Sequence, residues 1–193
     1  MNTEDTIILL GDSPFIDEIK QKLCYVVQRF TTMGINRIVN TYKTNYQVFV
    51  DERMLPVANR HPDIYAVSLQ RYGDMVRTKE KELYNSYSFN FDSNTEKDLC
   101  KNGKLAWCGF THDFALSYLI TKGWKNIILI GTADFSIGAM HHSVQMAFTP
   151  SLKLVEKSKR FISEVCTKRA NIYTCNPNSL LTVERVSIED LLT

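Results

Sequence analysis

Short apolar runs alternate with amphipathic stretches along the chain. The run at residues 6–10 (TIILL) stops at Gly11, a pattern typical of a buried strand that ends in a tight loop. Apolar residues then recur at helical spacing from Phe15 to Gln28. A strand, a glycine-containing loop and a helix are the opening of a βαβ unit. This start predicts an α/β fold.

The same alternation continues towards the carboxyl terminus. Further strands are predicted near residues 29–34, 46–50, 63–69, 126–130 and 171–175, and further helices over 111–121 and 151–166. Such alternation favours a mainly parallel sheet with helices on both faces, in one Rossmann-like domain over residues 1–193. The stretch at about 70–104 loses clear periodicity, and we interpret it as a small lid-like insertion.

Composition narrows the class of protein without naming a function. Hydrophobic residues make up 44% and charged residues 23%, as in ordinary globular domains. A net charge of +2 is too mild to indicate a nucleic-acid surface. Five cysteines form no CxxC pair, which favours reduced thiols and a cytoplasmic location. The acidic amino-terminal stretch predicts no signal peptide, and we expect no membrane span because no apolar run approaches the required length.

The loops that follow strands are the places to look for a site. In parallel sheets, ligands bind outside the carboxyl ends of the strands. The loops at 11–14, 36–37, 51–53, 131–135 and 176–179 all follow predicted strands. We therefore expect these five loops to hold the functional residues.

Four segments at these positions occur in a recognisable order: IILLGDSPF, MGINRI, FALSYLITKGWKNIILIGTADF, and the HHSV segment that runs on to NPNSLL. Together they resemble the bacterial sialyltransferases of glycosyltransferase family 42 and their Rossmann-like relatives. The resemblance implies that Gly11, Asp12 and Ser13 approach a nucleotide and that Asn36 lies near the nucleotide sugar.

The later segments extend the resemblance to catalysis. It implies that Gly131 and Asp134 lie beside the donor's ribose, although their spacing is one residue wider than in the family. It places His142 on the catalytic-base histidine, with His141 as the fallback. Two departures leave the donor open: no basic residue precedes the helix at 111–121, and the tyrosines expected after the Asp-Phe pair are missing at 136–140.

The last loop and the histidine pair each have a second interpretation. Asn178 and Ser179 are implied to contact a base or phosphate, but they also suit the N-cap of a terminal helix. Histidine is the side chain most easily poised as a base near neutral pH. His141 and His142 could instead belong to a solvated loop; a metal site is disfavoured because adjacent residues cannot easily both face one ion and no carboxylate lies within a few residues.

Simpler structural roles also exist for the first loop and for two acidic positions. The Gly11 loop could be a plain strand-to-helix turn, and Asp134 a turn or helix-cap residue. The pair at residues 112–113 is most simply a helix cap.

The leading hypothesis is a glycosyltransferase. It would move a sugar from a nucleotide-sugar donor to an acceptor hydroxyl on a glycan or a modified phage DNA base, with no obligatory cofactor. The first alternative is a pterin-pyrophosphokinase-like diphosphotransferase that uses Mg²⁺ and depends on Asp51 and Asp134. The second is a non-catalytic nucleotide-binding protein. The sequence leaves open the oligomeric state, including a homo-oligomer.

Overall fold

A computed structural model describes residues 2–91, 98–135 and 151–193. In these ranges ten strands form a single sheet. The strands are β1 (Thr6–Leu10), β2 (Thr31–Ile35), β3 (Tyr46–Phe49), β4 (Tyr65–Leu69), β5 (Lys81–Ser88), β6 (Cys100–Lys101), β7 (Lys104–Trp107), β8 (Asn126–Ile130), β9 (Asn171–Thr174) and β10 (Glu184–Arg185). The α-helices are α1 (Phe15–Arg29), α2 (Leu55–Ala58), α3 (Thr111–Thr121) and α4 (Leu152–Arg160), the last continuing as a π-helical turn over Phe161–Val165.

The order of the strands defines where a ligand would bind. The sheet runs β10-β9-β8-β1-β2-β3-β4-β5-β7-β6, and every neighbouring pair is parallel except β6 with β7. The chain therefore builds outward from β1 to β7, and α3 then leads it back to β8 on the other side of β1. The chain thus leaves β1 in one direction and returns on its other side at β8. The carboxyl ends of β1 and β8 are therefore the topological switch point of the sheet, where ligands usually bind in such folds.

The predicted α/β fold with a mainly parallel sheet is confirmed. The bounds of β1, α3 and β8 agree with the sequence patterns. All five residues of β1 are buried, and because successive side chains point to opposite faces, both faces of this strand are covered. The strand expected near 29–34 begins later, at Thr31, because α1 extends to Arg29 and Phe30 forms its extended C-cap.

The expected lid at about 70–104 requires correction. β5 and β6 lie inside that stretch and β7 begins at its end, and all three continue the sheet. Most side chains of β5 are only partly buried, on both sides of the strand. A strand with this burial gives no clean period-2 alternation, so the pattern did not reveal it. Residues 92–97 lie outside the described ranges.

Within the described ranges, the longest helix is the 15-residue α1. No helix there is both long and apolar enough to cross a membrane.

Candidate functional site

The loops after β1 and β8 meet backbone to backbone at the switch point. Leu10 and Ile130 are paired at the ends of the two strands. The Gly11 amide donates to the Ile130 carbonyl at 2.9 Å, and the Ser13 amide donates to the Gly131 carbonyl at 3.0 Å. A Cβ atom on Gly11 would stand 2.4 Å from the Gly131 oxygen. Glycine is therefore required at position 11 by the close approach of the two loops.

The loop after β8 holds its backbone in an uncommon conformation. Gly131, Ala133 and Phe135 have φ values of 64°, 55° and 50°. Only glycine adopts this left-handed region freely, and each other residue there costs on the order of 1–2 kcal/mol. Alternate left-handed residues shape the turn that carries Asp134. Such outliers cluster at ligand-binding sites more often than elsewhere, so they mark this loop as a candidate site.

Asp134 is the buried acid of the crevice, with 3% of its surface exposed. Its Oδ2 atom accepts a hydrogen bond of 2.7 Å from the Ser13 hydroxyl. Its Oδ1 atom is buried and accepts no well-formed hydrogen bond. Burial raises the pKa of Asp134, while Ser13 and the nearby Asn176 side chain pull it down. One carboxylate oxygen thus fixes the β1 loop, and the other has acceptor capacity left for a ligand.

The loop after β9 joins the same crevice through Asn176. The backbone carbonyl of Asp134 accepts from the Leu180 amide at 3.0 Å. The Asn176 Oδ1 atom accepts from the Asn178 amide at 2.9 Å, and the Ser179 hydroxyl oxygen accepts from the Leu181 amide. These two side chains therefore build the turn. No helix follows Ser179 in the described part of the chain, so the predicted N-cap role has no helix to cap.

The loop after β2 adds a second group of polar atoms beside β1. Gly34 pairs with Leu10 at the same edge of the sheet, and Asn36 follows with a φ of 55°. The Asn36 Oδ1 atom is buried and has no hydrogen-bond partner. Between the β1 loop and the segment that begins at Arg37 lies a cavity of about 370 Å³, which Asp12 and Ser13 line from the β1 side. The loops after β1, β2, β8 and β9 therefore share one edge of the sheet.

A buried polar cluster at the start of α3 was not foreseen as a unit. Asp113 accepts hydrogen bonds from the Phe110 amide at 3.0 Å and from the Ser158 hydroxyl, which also contacts His112 Nε2 at 3.0 Å. Burial raises the pKa of Asp113 to about 7, although Ser158 and the Phe110 amide lower it. The helix cap at Asp113 could be predicted from sequence, but its partner Ser158 lies 45 residues away in α4. A local sequence pattern cannot predict a contact between residues so far apart in the chain.

This cluster reaches the crevice through aromatic rings. The His112 ring stacks on Phe110 with centroids 5.0 Å apart and lies nearly perpendicular to the Phe135 ring, with centroids 5.4 Å apart. Phe135 directly follows Asp134. The buried acid of α3 and the buried acid of the β8 loop are thus linked through one layer of rings.

The acidic loop after β3 uses its carboxylate within the loop itself. The Asp51 carboxylate accepts from the Arg53 amide at 3.0 Å and from its guanidinium, and these hydrogen bonds lower the pKa of Asp51. Asp51 therefore caps a short 3₁₀ turn at residues 52–54. Within residues 2–91, 98–135 and 151–193, no group of three or more His, Cys, Asp or Glu side chains could hold a metal ion.

The proposed base and its fallback, His142 and His141, lie outside the described residues. Of the other predicted site residues, the structure brings Gly11, Ser13, Gly131 and Asp134 together. The remaining predicted residues lie on loops that begin at the same edge of the sheet: Asp12, Asn36, Asn178 and Ser179.

The fold and the crevice define a Rossmann-like α/β domain, and one comparison with known proteins agrees with this class. No protein-family model matches the chain, and no curated protein matches it. A solved structure of MAf glycosyltransferase from Magnetospirillum magneticum AMB-1 is similar, with a TM-score of 0.67 at 13% sequence identity.

That similarity covers 98% of this chain and 34% of that chain. The chain therefore spans about a third of the length of its structural neighbour. The likeness shows the fold, which is of a kind that a glycosyltransferase uses. The narrower sialyltransferase family remains a prediction from the four sequence segments.

Proposed function

We propose that this chain transfers a sugar from a nucleotide-sugar donor to an acceptor hydroxyl. The observation that carries the proposal is Asp134, a buried acid at the switch point with one carboxylate oxygen bound by Ser13 and the other without a well-formed hydrogen bond. A ribose hydroxyl is a suitable partner for such an oxygen, as at comparable strand ends of nucleotide-binding folds. The fold shared with a glycosyltransferase supports the same class of donor.

The β1 loop suits the phosphate part of such a donor. Gly11 has no side chain, and α1 begins at Phe15, so the partly positive amino terminus of a 15-residue helix adjoins the loop. The Gly11 and Ser13 amides already donate to the end of β8 and its loop, so the feature that favours a phosphate here is the positive end of the helix dipole. We assign the Gly11–Ser13 loop to the departing phosphate and the Asp134 loop to the ribose.

The transfer needs one proton acceptor. The acceptor oxygen attacks the anomeric carbon while the bond between that carbon and the phosphate oxygen breaks, and the nucleotide leaves with the electron pair. The hydroxyl proton passes to a base, for which we propose His142 from its place before Ser143, with His141 as the second choice. No cofactor is obligatory in this proposal. The acceptor would be a glycan or a modified nucleobase.

The alternative of Mg²⁺-dependent diphosphate transfer receives no support from Asp51, whose carboxylate is engaged by Arg53. The test is to incubate the protein with CMP-, UDP- and GDP-linked sugars and to measure released nucleotide by chromatography, with and without Mg²⁺. We expect release without metal, reduced about 100-fold or more by His142→Ala. Asp63→Asn, at an exposed ion pair with Lys79, is the control and should leave release unchanged.

Two other results would redirect the proposal. AMP formation from ATP that requires Mg²⁺ would identify a diphosphotransferase. Tight nucleotide-sugar binding without any turnover would identify a non-catalytic binder.

A further inference from the structure

The cavity between the β1 loop and residues 37–42 has the size of a small ligand site. Its volume is about 370 Å³, near the lower end of the range of roughly 300–1,000 Å³ in which small-molecule sites fall. One wall comes from the β1 loop and α1, and the other from the segment after β2. The lining residues used below are Asp12, Ser13, Asp17, Lys20, Arg37 and Tyr42.

The charges that line the cavity select the chemistry of its ligand. Two carboxylates come from Asp12 and Asp17, and two cationic groups come from Lys20 and Arg37. A phosphate or other anion would meet the cations but would be opposed by the carboxylates. An apolar ligand would remove water from charged groups without replacing their hydrogen bonds. A neutral ring with several hydroxyl groups can donate to the carboxylates and accept from the cations at once.

Tyr42 provides an independent observation in favour of a polar ligand. It lines the cavity, only 5% of its surface is exposed, and its hydroxyl is buried without a hydrogen-bond partner. Burial raises the pKa of Tyr42, and nearby Cys24 and Asp17 raise it further. The hydroxyl therefore stays protonated and can both donate and accept. By contrast, the buried Tyr72 donates to the Val50 carbonyl at 3.1 Å.

The cavity and the proposed nucleotide crevice share Ser13. This residue lines the cavity, and its hydroxyl donates to Asp134 in the crevice. A ring held in the cavity would therefore lie next to a nucleotide held by the β1 and β8 loops. That is where one of the two sugars of a transfer reaction must be.

We propose that the cavity between α1 and the segment after β2 is a carbohydrate subsite in which Tyr42 hydrogen-bonds a hydroxyl of the sugar ring. Assigning that ring to a transfer reaction rests on the proposed function. The ring is either the sugar of the donor or the sugar of the acceptor, and the experiment separates these sources.

The test compares the wild-type protein with Tyr42→Phe and with the control Tyr72→Phe. Calorimetric titrations use CMP, UDP and GDP, their sugar-linked forms, and free methyl glycosides. Because the Tyr42 hydroxyl has no partner within the protein, its removal should leave the melting temperature unchanged or raise it. Removal of the partnered Tyr72 hydroxyl should lower the melting temperature and leave binding unchanged.

Tyr42→Phe should weaken the affected sugar ligand about five- to tenfold and leave the bare nucleotide unchanged. Weaker binding of a nucleotide sugar identifies the donor ring, and weaker binding of a glycoside alone identifies the acceptor ring. Sugar affinities that do not depend on Tyr42, equal weakening of nucleotide and nucleotide sugar, or no sugar binding by the wild type would each overturn the subsite. Tyr42-dependent glycoside binding without any nucleotide binding would keep the subsite and remove the transferase proposal.

Discussion

Two acidic side chains, Glu82 and Asp134, differ in how completely the protein satisfies their hydrogen-bonding capacity. Glu82 on β5 accepts from the hydroxyls of Tyr65 at 2.8 Å and Tyr118 at 3.3 Å, contacts Lys122 at 2.6 Å, and accepts from Tyr84. Burial alone would raise the pKa of Glu82, but Lys122 and the tyrosines outweigh it and lower the pKa.

Asp134 has no such set of partners. Ser13 binds one of its oxygens and the Asn176 side chain lies nearby, but the other oxygen accepts no well-formed hydrogen bond. Burial therefore outweighs both partners and raises the pKa of Asp134. Native proteins pair nearly all their buried polar atoms. The hydrogen bonds and the ion pair around Glu82 are made within the protein, so this cluster serves to stabilise the fold. An acid at a strand end with an oxygen that lacks a well-formed hydrogen bond, such as Asp134, is a candidate for binding a ligand. The cluster around Glu82 has more ionisable groups, but Asp134 is the better candidate for a ligand site.

The largest effect should come from filling the contact between the two crevice loops. In Gly11→Ala, the new Cβ atom would stand 2.4 Å from the Gly131 carbonyl oxygen, and backbone cannot move aside cheaply. We expect a loss of about 1–3 kcal/mol or more in the free energy of unfolding, measured by urea denaturation. A fully stable Gly11→Ala protein would show that the loops do not touch as described.

Gly73→Ala is the matched control for that substitution. Its new Cβ atom would lie 3.2 Å from the flexible end of Leu83 and 3.3 Å from the Gln70 carbonyl oxygen, far less close than at Gly11, and the backbone φ of Gly73 is −49°. An alanine is therefore tolerated there, and the change should stay within about 1 kcal/mol.

The next effect separates stability from binding at Asp134. Because burial raises the pKa of this carboxyl, Asp134→Asn removes a costly charge and should keep or increase the melting temperature. Nucleotide-sugar affinity should fall about tenfold or more, since a hydrogen bond to a charged group is lost. Calorimetric titration measures the affinity. An unchanged affinity in a stable Asp134→Asn protein would exclude this carboxylate from the site.

The opposite result is expected at Glu82. Glu82→Gln breaks the ion pair with Lys122 and leaves some tyrosine hydroxyls without an acceptor, which should cost about 1–2 kcal/mol of stability. Ligand affinity should not change. Glu156→Gln, at an exposed pair with Lys159, is the control and should leave the melting temperature unchanged. If Glu82→Gln weakened nucleotide binding, the contrast between the two acids would fail.

The last effect concerns the pH dependence of stability. The pKa of Asp113 is raised to about 7 and that of Asp134 is raised too, so both groups bind protons more tightly in the folded than in the unfolded chain. Their contribution to stability is full below pH 4 and is lost as the pH rises towards 7. The lowered pKa values of Glu82 and Asp51 act in the opposite sense at acid pH. Glu82 and Asp51 titrate mainly below pH 5, so they offset little of this loss, and the net loss of stability between pH 5 and 7 should be about 2 kcal/mol.

Asp113→Asn isolates that contribution. Urea denaturation across pH 4–8 should show that the variant loses less stability than the wild type as the pH rises. Parallel curves for the two proteins would mean that Asp113 titrates as it does in the unfolded chain.

Local patterns in the sequence were sufficient for the central strands but not for the far side of the sheet. β1 and β8 are buried on both faces and read as continuous apolar runs that end at glycine. β5 is half-covered along its length, and its mixed residues resemble a loop. Burial differs between these strands because of their places in the sheet, which no local window of sequence reports.

Some features of the candidate site could likewise be predicted from local sequence, and others could not. The position of Asp134 at the end of a strand follows from its spacing after β8. Its bond to Ser13, the unpartnered hydroxyl of Tyr42 and the bridge from Ser158 to Asp113 depend on packing between distant segments. Such contacts appear only once the chain is folded.

Hydrogen–deuterium exchange with a bound nucleotide sugar tests the contrast between the two acids most directly. We predict slower exchange in peptides that cover Gly11–Ser13, Gly131–Phe135 and Asn176–Ser179, and no change around Glu82 and Tyr118. Protection centred on Glu82, or no protection of the β1 and β8 loops at a ligand concentration that saturates binding, would contradict the assignment of the site.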